Sequence, residues 1–204
     1  MLHLASLPPG TLVLLRELCA HPAIQPFALT GGTALALRFG HRLSVDLDFF
    51  TPETFDSAAI ADQLTEDFQA TGVRVNPAGA NLTIRGVKVD LVRYRYALLD
   101  PFEVTDGVRV FGIRDNSAMK LSALTNRGAK KDFFDAHELI RRFGLPRLLE
   151  WYQQKYAGHD VGMVLRSLAY FADAEADFDP QTLDGTTWEA VKAAISRAVR
   201  DCLQ

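Results

Sequence analysis

A glycine turn followed by two aspartates, within the stretch TGGTALALRFGHRLSVDLDFF from Thr30 to Phe50, constrains the fold of this chain most strongly. The residues Thr30-Gly31-Gly32-Thr33 predict a tight turn that opens a short helix. The segment Ser44 to Phe50 predicts a β-strand. Because alternate side chains of a strand share a face, Asp46 and Asp48 are expected to project together.

Two neighbouring carboxylates predict a bound cation. They repel each other by about 4 kcal/mol at a separation of about 4 Å and an effective dielectric of about 20. Mg²⁺ takes carboxylate oxygens and also binds phosphates. The turn at Gly31, Gly32 and Thr33 lets the backbone approach a ligand closely, and the N–H groups of the following helix attract phosphate oxygens. Together the two features predict a site for a nucleoside triphosphate and Mg²⁺.

A third carboxylate and three polar residues complete the predicted site. Asp90 lies within a predicted strand from Val87 to Tyr96, and it joins Asp46 and Asp48 as a candidate metal triad. His41 and Arg42 are candidates to neutralise triphosphate oxygens, and Ser44 to orient the carboxylates. The simpler alternatives are a solvated strand edge for the aspartates and an ordinary strand-to-helix turn for the glycines.

The pattern of the chain changes from strands to helices near residue 113. Asp106-Gly107 predicts a hairpin turn in the first part, and Asp56 or Ser57 predicts the start of a helix. Asp115 is expected to cap the first helix of the second part, and the acidic segment 173–184 to be a solvated connector. The sequence therefore predicts an α+β fold with a mixed sheet and flanking helices in residues 1–113 and a helical domain in residues 114–204.

Composition restricts the class of protein. The net charge is −3, but basic residues are concentrated between positions 114 and 147, which favours a partner that docks at one face. No apolar run reaches the roughly 18 residues of a membrane helix, and the N-terminus has no signal-peptide pattern. The two cysteines are typical of a protein from a reducing cytoplasm.

Two motifs together resemble a known family. Gly31-Gly32-Thr33 followed by Asp46-x-Asp48 resembles the GG[ST]…DxD signature of DNA polymerase β-like nucleotidyltransferases, and GGTALAL…HRLSVDLDFF is similar to the AbiEii/AbiGii toxin family. The later segment MKLSALTNRGAKKDFFD resembles that family's K-[IL]-x-A-L…R…[KR]-D-x-x-D pattern. In the family its lysine and first aspartate belong to the active site, which implies the same for Lys120 and Asp132, with Asp135 as a supporting partner.

The resemblance implies a nucleotidyltransferase fold and a Mg²⁺-dependent enzyme that transfers a nucleoside monophosphate from an NTP to an acceptor hydroxyl. It also implies a toxin with a cognate antitoxin, and some relatives modify the 3′ end of tRNA. Arg127, Lys130 and Lys131 are candidates to hold an RNA backbone. The open alternatives are transfer to a protein side chain and a catalytically inactive nucleotide-binding module that acts in a complex.

Overall fold

The computed structural model describes residues 1–204 and combines one mixed sheet with eight α-helices. The strands are β1 (Ala28–Thr30), β2 (Leu47–Thr51), β3 (Thr71–Asn76), β4 (Gly79–Ile84), β5 (Val87–Arg93), β6 (Glu103–Thr105) and β7 (Val108–Val110). The helices are α1 (Pro9–Ala20), α2 (Gly31–Phe39), α3 (Ser57–Phe68), α4 (Ile113–Asn126), α5 (Lys130–Phe143), α6 (Leu145–Lys155), α7 (Val161–Leu168) and α8 (Trp188–Cys202). The predicted α+β fold is confirmed.

Strand pairing brings the predicted site residues into one row. The sheet order is β3-β4-β5-β2-β1-β7-β6, with β2 antiparallel to β1 and parallel to β5. In this register Asp48 lies between Thr30 on one side and Asp90 on the other. Because β1, β2 and β5 are neighbours, Asp48 and Asp90 both lie close to Thr30, the residue at which the glycine turn begins.

Two apolar cores support this arrangement. The first core packs the alternating inward residues of the sheet, such as Leu47 and Phe49, against α1 and α3. The second core lies among α4 to α8, and Leu35 of α2 reaches into it from the first half of the chain. The last strand ends at Val110 and α4 begins at Ile113, where the sequence pattern changes. The division into two domains at residue 113 stays a prediction.

Two local predictions are confirmed by backbone geometry. The Asp56 carboxylate accepts hydrogen bonds from the N–H groups of Ala58 and Ala59 and so caps α3. Asp106 and Gly107 both have positive φ, of 53° and 79°, and join β6 to β7. Asp-Gly suits such a turn because both central residues must adopt left-handed backbone conformations.

The strand that carries the aspartates is shorter than predicted. It begins at Leu47 rather than Ser44, so Asp46 lies in the preceding loop and only Asp48 is a strand residue. Val45 is exposed, so the alternation that holds from Leu47 onward does not extend to it. The prediction that both aspartates belong to one strand was therefore wrong.

Asp115 does not cap α4. The cap is Gly112, and Asp115 lies inside the first helical turn with its side chain fully buried. Its carboxylate accepts hydrogen bonds from the N–H groups of Leu99 and Asp100 and forms an ion pair with Lys155. Tertiary partners have replaced the local cap, and they tie α4 to α6 and to the segment after β5.

The acidic connector, residues 173–184, is not simply solvated. The Leu43 N–H donates to the Gln181 carbonyl at 2.8 Å, and the Leu183 N–H donates to the His41 carbonyl at 2.9 Å. These bonds add a short antiparallel bridge to the loop that leads to Asp46. The connector therefore holds that loop in place from the second half of the chain.

Candidate active site

Three aspartates lie near the start of β2, each in a different environment. Asp48 is half-buried, and its carboxylate accepts no hydrogen bond from the rest of the chain. Burial, and then the neighbouring charge of Asp90, raise the pKa of the Asp48 carboxyl. Asp90 accepts hydrogen bonds from the side chains of Asn81 and Lys88, both at 2.8 Å. Asp48 is consequently the carboxylate that lacks a compensating partner.

Asp46 and Asp90, on either side of Asp48, each form an ion pair with a lysine. Lys131 lies 3.1 Å from Asp46, and Lys88 lies 2.8 Å from Asp90. The lysine side chains are 47% and 58% exposed, so both have room to rotate away. With the side chains in these positions, no three potential ligands converge closely enough to hold a metal ion. The predicted triad is therefore not assembled as a ready metal site.

The first glycine of the turn has a clear geometric requirement. Gly31 has a φ of +68°, which L-residues rarely adopt. A Cβ atom there would lie 2.6 Å from Oδ2 of Asp48. The Gly31 N–H donates to Oδ1 of Asn116 at 3.0 Å, so an α4 side chain fixes the turn. The backbone at Gly31 and the carboxylate of Asp48 thus share a space that only glycine leaves open.

Replacing Gly31 with alanine is expected to displace Asp48 and abolish the activity that depends on it. The left-handed backbone costs about 1–2 kcal/mol for any L-residue, and the clash adds to that cost. Gly86→Ala is the matched control, because Gly86 has a φ of +80° with nothing within 4 Å of the added Cβ. Thermal unfolding should show that backbone strain destabilises both variants to a similar extent. Activity should be lost only in Gly31→Ala. Equal activity in the two variants would contradict this role of Gly31.

Thr33 and Ser44 support the site rather than facing a ligand. Both are buried, and their hydroxyl groups lie 2.8 Å apart. The Thr33 hydroxyl also donates to the backbone carbonyl of Asp46. The hydroxyl is thus engaged within the protein, and contact of Thr33 with a nucleotide stays a prediction. The expected role of Ser44 in orienting the carboxylates is indirect, since it acts through Thr33 on the Asp46 backbone.

A buried ion cluster, defined by His41, Arg42, Lys120, Asp132 and Asp135, connects the two halves of the chain. Arg42 donates two hydrogen bonds to Asp135, at 2.7 and 2.8 Å, and the Nε2 of His41 lies 2.7 Å from the same carboxylate. Lys120 lies 2.7 Å from Asp132 and 2.8 Å from Asp135. All five residues are buried.

The cluster changes the predicted role of Arg42. Its guanidinium group is fully engaged with Asp135 and with the Leu43 carbonyl, and it passes over Gly32, where a Cβ atom would collide with it. Arg42 is therefore not placed to neutralise a triphosphate, and Gly32 serves close packing. Sequence analysis treated Asp135 as a secondary partner, whereas it accepts bonds from three cationic or imidazole groups.

The charges in the cluster hold one another in their ionised forms. Burial opposes the charge of Asp135, but the positive charges of Arg42 and Lys120 and the hydrogen bond from His41 outweigh it and hold the pKa well below its usual value. Burial likewise opposes the charge of Lys120, yet Asp135 and Asp132 raise the pKa of its ammonium group. Arg42, Lys120, Asp132 and Asp135 are thus ionised at neutral pH.

The three predicted RNA-binding residues lie in different environments. Arg127 donates to Asp132 through two nitrogens but keeps a 57% exposed side chain. Lys131 pairs with Asp46, as described above. Lys130 is buried, and its ammonium donates to the Asp177 carbonyl at 2.6 Å and pairs with Asp179 at 3.0 Å. Lys130 anchors the acidic connector and so has no free ammonium group in this arrangement, and its contact with RNA stays a prediction.

A cleft of about 370 Å³ opens beside Asp48 and the glycine turn. Its polar lining includes Gly31, Gly32, Asp48, Lys120 and Arg127. The aromatic and apolar part of the lining, which we call the aromatic wall, includes Phe50, Tyr94, Tyr96, Met119 and Tyr156. A cleft lined by both charged and aromatic residues suits a ligand that carries both phosphates and a flat ring.

Comparison with known proteins agrees with this geometry. The family described as nucleotidyl transferase AbiEii toxin, Type IV TA system, matches residues 13–100, which include the glycine turn and all three aspartates. An uncharacterized protein of Aquifex aeolicus is 36% identical over 188 residues, covering 87% of this chain and 88% of that protein. The chain belongs to the AbiEii nucleotidyltransferase toxin family.

Solved structures show the same fold beyond the range of clear sequence similarity. MenT4, a nucleotidyltransferase toxin of Mycobacterium tuberculosis, superimposes with a TM-score of 0.57 at 15% identity, covering 97% of this chain and 86% of that chain. JHP933 from Helicobacter pylori gives a TM-score of 0.57 at 16% identity, covering 95% and 92%. These likenesses show that the AbiEii-family chain shares their fold, a mixed sheet with flanking helices. None of its helices combines the length and apolar character needed to cross a membrane.

Sequence analysis of this AbiEii-family chain missed several residues of the cleft. Asn116, which holds the glycine turn through Gly31, carries no local signal because its partner is 85 residues away. Tyr94 and Tyr96 had a usable signal. They alternate with Asp90 along the predicted strand Val87 to Tyr96, which indicates two aromatic rings on the side of Asp90. The strand itself is shorter than predicted, since β5 ends at Arg93.

Proposed function

We propose that this protein transfers a nucleoside monophosphate from an NTP bound in the cleft to a terminal hydroxyl of an RNA, with the 3′ end of tRNA as the first candidate. The observation that carries the proposal is the meeting of the glycine turn, Asp48, Asp90 and Arg127 in and beside one cleft that also has an aromatic wall. In this arrangement the triphosphate lies against the glycine turn and Arg127. The base lies against the side of Tyr96, which is 44% exposed.

The position of the carboxylates supports the following reaction. The acceptor oxygen attacks the α-phosphorus, the bond from that phosphorus to the bridging oxygen of the β-phosphate breaks, and pyrophosphate leaves with the electron pair. Asp90 lies in register with Asp48 and is assigned to take the proton of the attacking hydroxyl. Lys120 and Asp132 are assigned to hold Arg127 and the cleft wall, because their own charges are satisfied within the buried ion cluster.

Mg²⁺ fits the donor set of this site. The carboxylates of Asp46, Asp48 and Asp90 are hard oxygen ligands, and Asp48 has no partner of its own. Lys131 and Lys88 would have to release Asp46 and Asp90, which their exposure permits. The bound ion supplies charge neutralisation at the phosphates. In this proposal the residues of the chain bind the ion, hold the nucleotide and accept the proton.

Each NTP, labelled on the α-phosphate, should be incubated with the protein, Mg²⁺ and either total RNA or cell lysate. We expect label at the 3′ ends of RNA, and no label when Mg²⁺ is chelated. Label in protein would assign a protein acceptor instead. Nucleotide binding without any transfer would favour an inactive binding module. Membership of a toxin–antitoxin family implies a cognate antitoxin, and adding that partner should suppress the activity.

A further inference from the structure

A second groove, of about 400 Å³, lies between the C-terminal end of α4 and helix α7. We call it the α4–α7 groove, and its lining includes Asn126, Arg127, Met163, Arg166, Ser167 and Tyr170. Asn126 and Arg127 also line the cleft beside Asp48. The groove and the cleft therefore adjoin at these two residues, and a chain lying in the groove would lead towards the reacting groups.

Arg166 supplies an available positive charge in the α4–α7 groove. Its side chain is 68% exposed, and its charged partner is Asp160, at 3.2 Å, whose side chain is 63% exposed. Exposed pairs of this kind contribute little stability and exchange partners readily. Arg127, at the junction with the cleft, offers a second exposed guanidinium group. Both arginines line the groove, so a polynucleotide backbone lying in it would pass two positive charges.

Tyr170 supplies an aromatic platform beside these arginines. It is 57% exposed, and its hydroxyl lies 3.4 Å from the Asp173 carboxylate, which holds the ring at the rim of the groove. Met163 is 46% exposed on the same lining and extends the apolar surface. A large ring left open to solvent beside guanidinium groups is the combination that binds unpaired bases, since every base has a face that stacks.

We propose that the α4–α7 groove binds the single-stranded 3′-terminal nucleotides of the RNA acceptor. One base stacks on Tyr170, Arg166 and Arg127 contact phosphates, and the terminal hydroxyl passes Asn126 into the cleft. The inference rests on the proposed function, because it names the acceptor path for that reaction. It extends the path expected from sequence, since it keeps Arg127 and leaves out Lys130, which is buried against the connector.

The proposal can be tested with a labelled single-stranded RNA of a few nucleotides that ends in a 3′ hydroxyl, titrated across a salt series. Tyr170→Ala should weaken binding by about tenfold or more, whereas Tyr170→Phe should bind like the parent because the ring is kept. Arg166→Ala should weaken binding and lower the slope of log affinity against log salt by about 0.7, and Arg166→Lys should restore most of that slope. Arg74→Ala, an exposed arginine on β3 outside the groove lining, is the control and should match the parent.

Nucleotide binding, measured separately with labelled NTP, should be unchanged in all these variants. RNA affinity equal to the parent in both Tyr170→Ala and Arg166→Ala, with label still transferred to RNA, would overturn the groove and leave the proposed function standing. A parent that binds no RNA but transfers label to protein would overturn the groove together with the RNA acceptor. Failure to bind NTP in the parent would instead contradict the proposed function itself.

Discussion

Replacing Asp48 with asparagine is expected to abolish nucleotidyl transfer while leaving the protein at least as stable as the parent. The substitution removes a ligand charge but almost no volume. It also removes the repulsion between Asp48 and Asp90, which lie side by side in register on parallel strands. Stabilisation of charge by a bound metal ion amounts to several kcal/mol, so the rate should fall by about a thousandfold or more.

Activity with Mg²⁺ and a thermal melt should be measured for this variant and for a control, Asp62→Asn. Asp62 is an exposed residue of α3 outside the cleft, so its variant should keep parental activity. The opposite signs of the two effects in Asp48→Asn, less activity but equal or greater stability, distinguish a ligand from a structural residue. Normal turnover in Asp48→Asn would reject the carboxylate site.

Replacing Asp135 with alanine is expected to give the largest loss of stability. Asp135 is fully buried and accepts hydrogen bonds from His41 and Arg42, and Lys120 lies 2.8 Å from it. Removing it leaves two cations without their shared partner in the interior, and breaking a buried pair in this way costs about 3–5 kcal/mol. That cost is a large part of the roughly 5–15 kcal/mol by which domains are stable.

Urea unfolding should be compared for the parent, Asp135→Ala and an exposed control on α8, Asp201→Asn, which should lie within about 0.5 kcal/mol of the parent. If Asp135→Ala fails to fold, Asp135→Asn keeps the shape and a hydrogen-bond acceptor and should show a smaller loss. A loss below about 1 kcal/mol in Asp135→Ala would contradict the central role of this carboxylate.

The pH dependence of this effect has a definite sign. The pKa of Asp135 is lower in the folded protein than its usual value, so its charge stabilises the fold at pH values above the unfolded pKa of about 3.9. That contribution is lost as the pH falls through the folded pKa. The stability difference between the parent and Asp135→Asn should therefore be constant from neutral pH down to about 4 and should shrink below it.

Features that depend on neighbouring residues could be predicted from the sequence alone. The Asp106-Gly107 hairpin, the Asp56 cap and the glycine turn at Gly31 follow from short-range backbone preferences, and each stands as expected. The two family motifs likewise indicated the chemistry, because a glycine turn and spaced aspartates are local patterns. The sequence by itself thus determined the fold class and the family of enzyme.

Partner choice among polar side chains was decided only by tertiary structure. A lysine or arginine has several possible acceptors along the chain, and packing selects one by bringing distant elements together. Lys130 meets the connector, Arg42 meets Asp135, and Asp48 meets Asp90 only because β2 and β5 are neighbours. Buried charges must find partners to offset the loss of water, and the folded arrangement of α2, α4 and α5 determines which partners lie within reach.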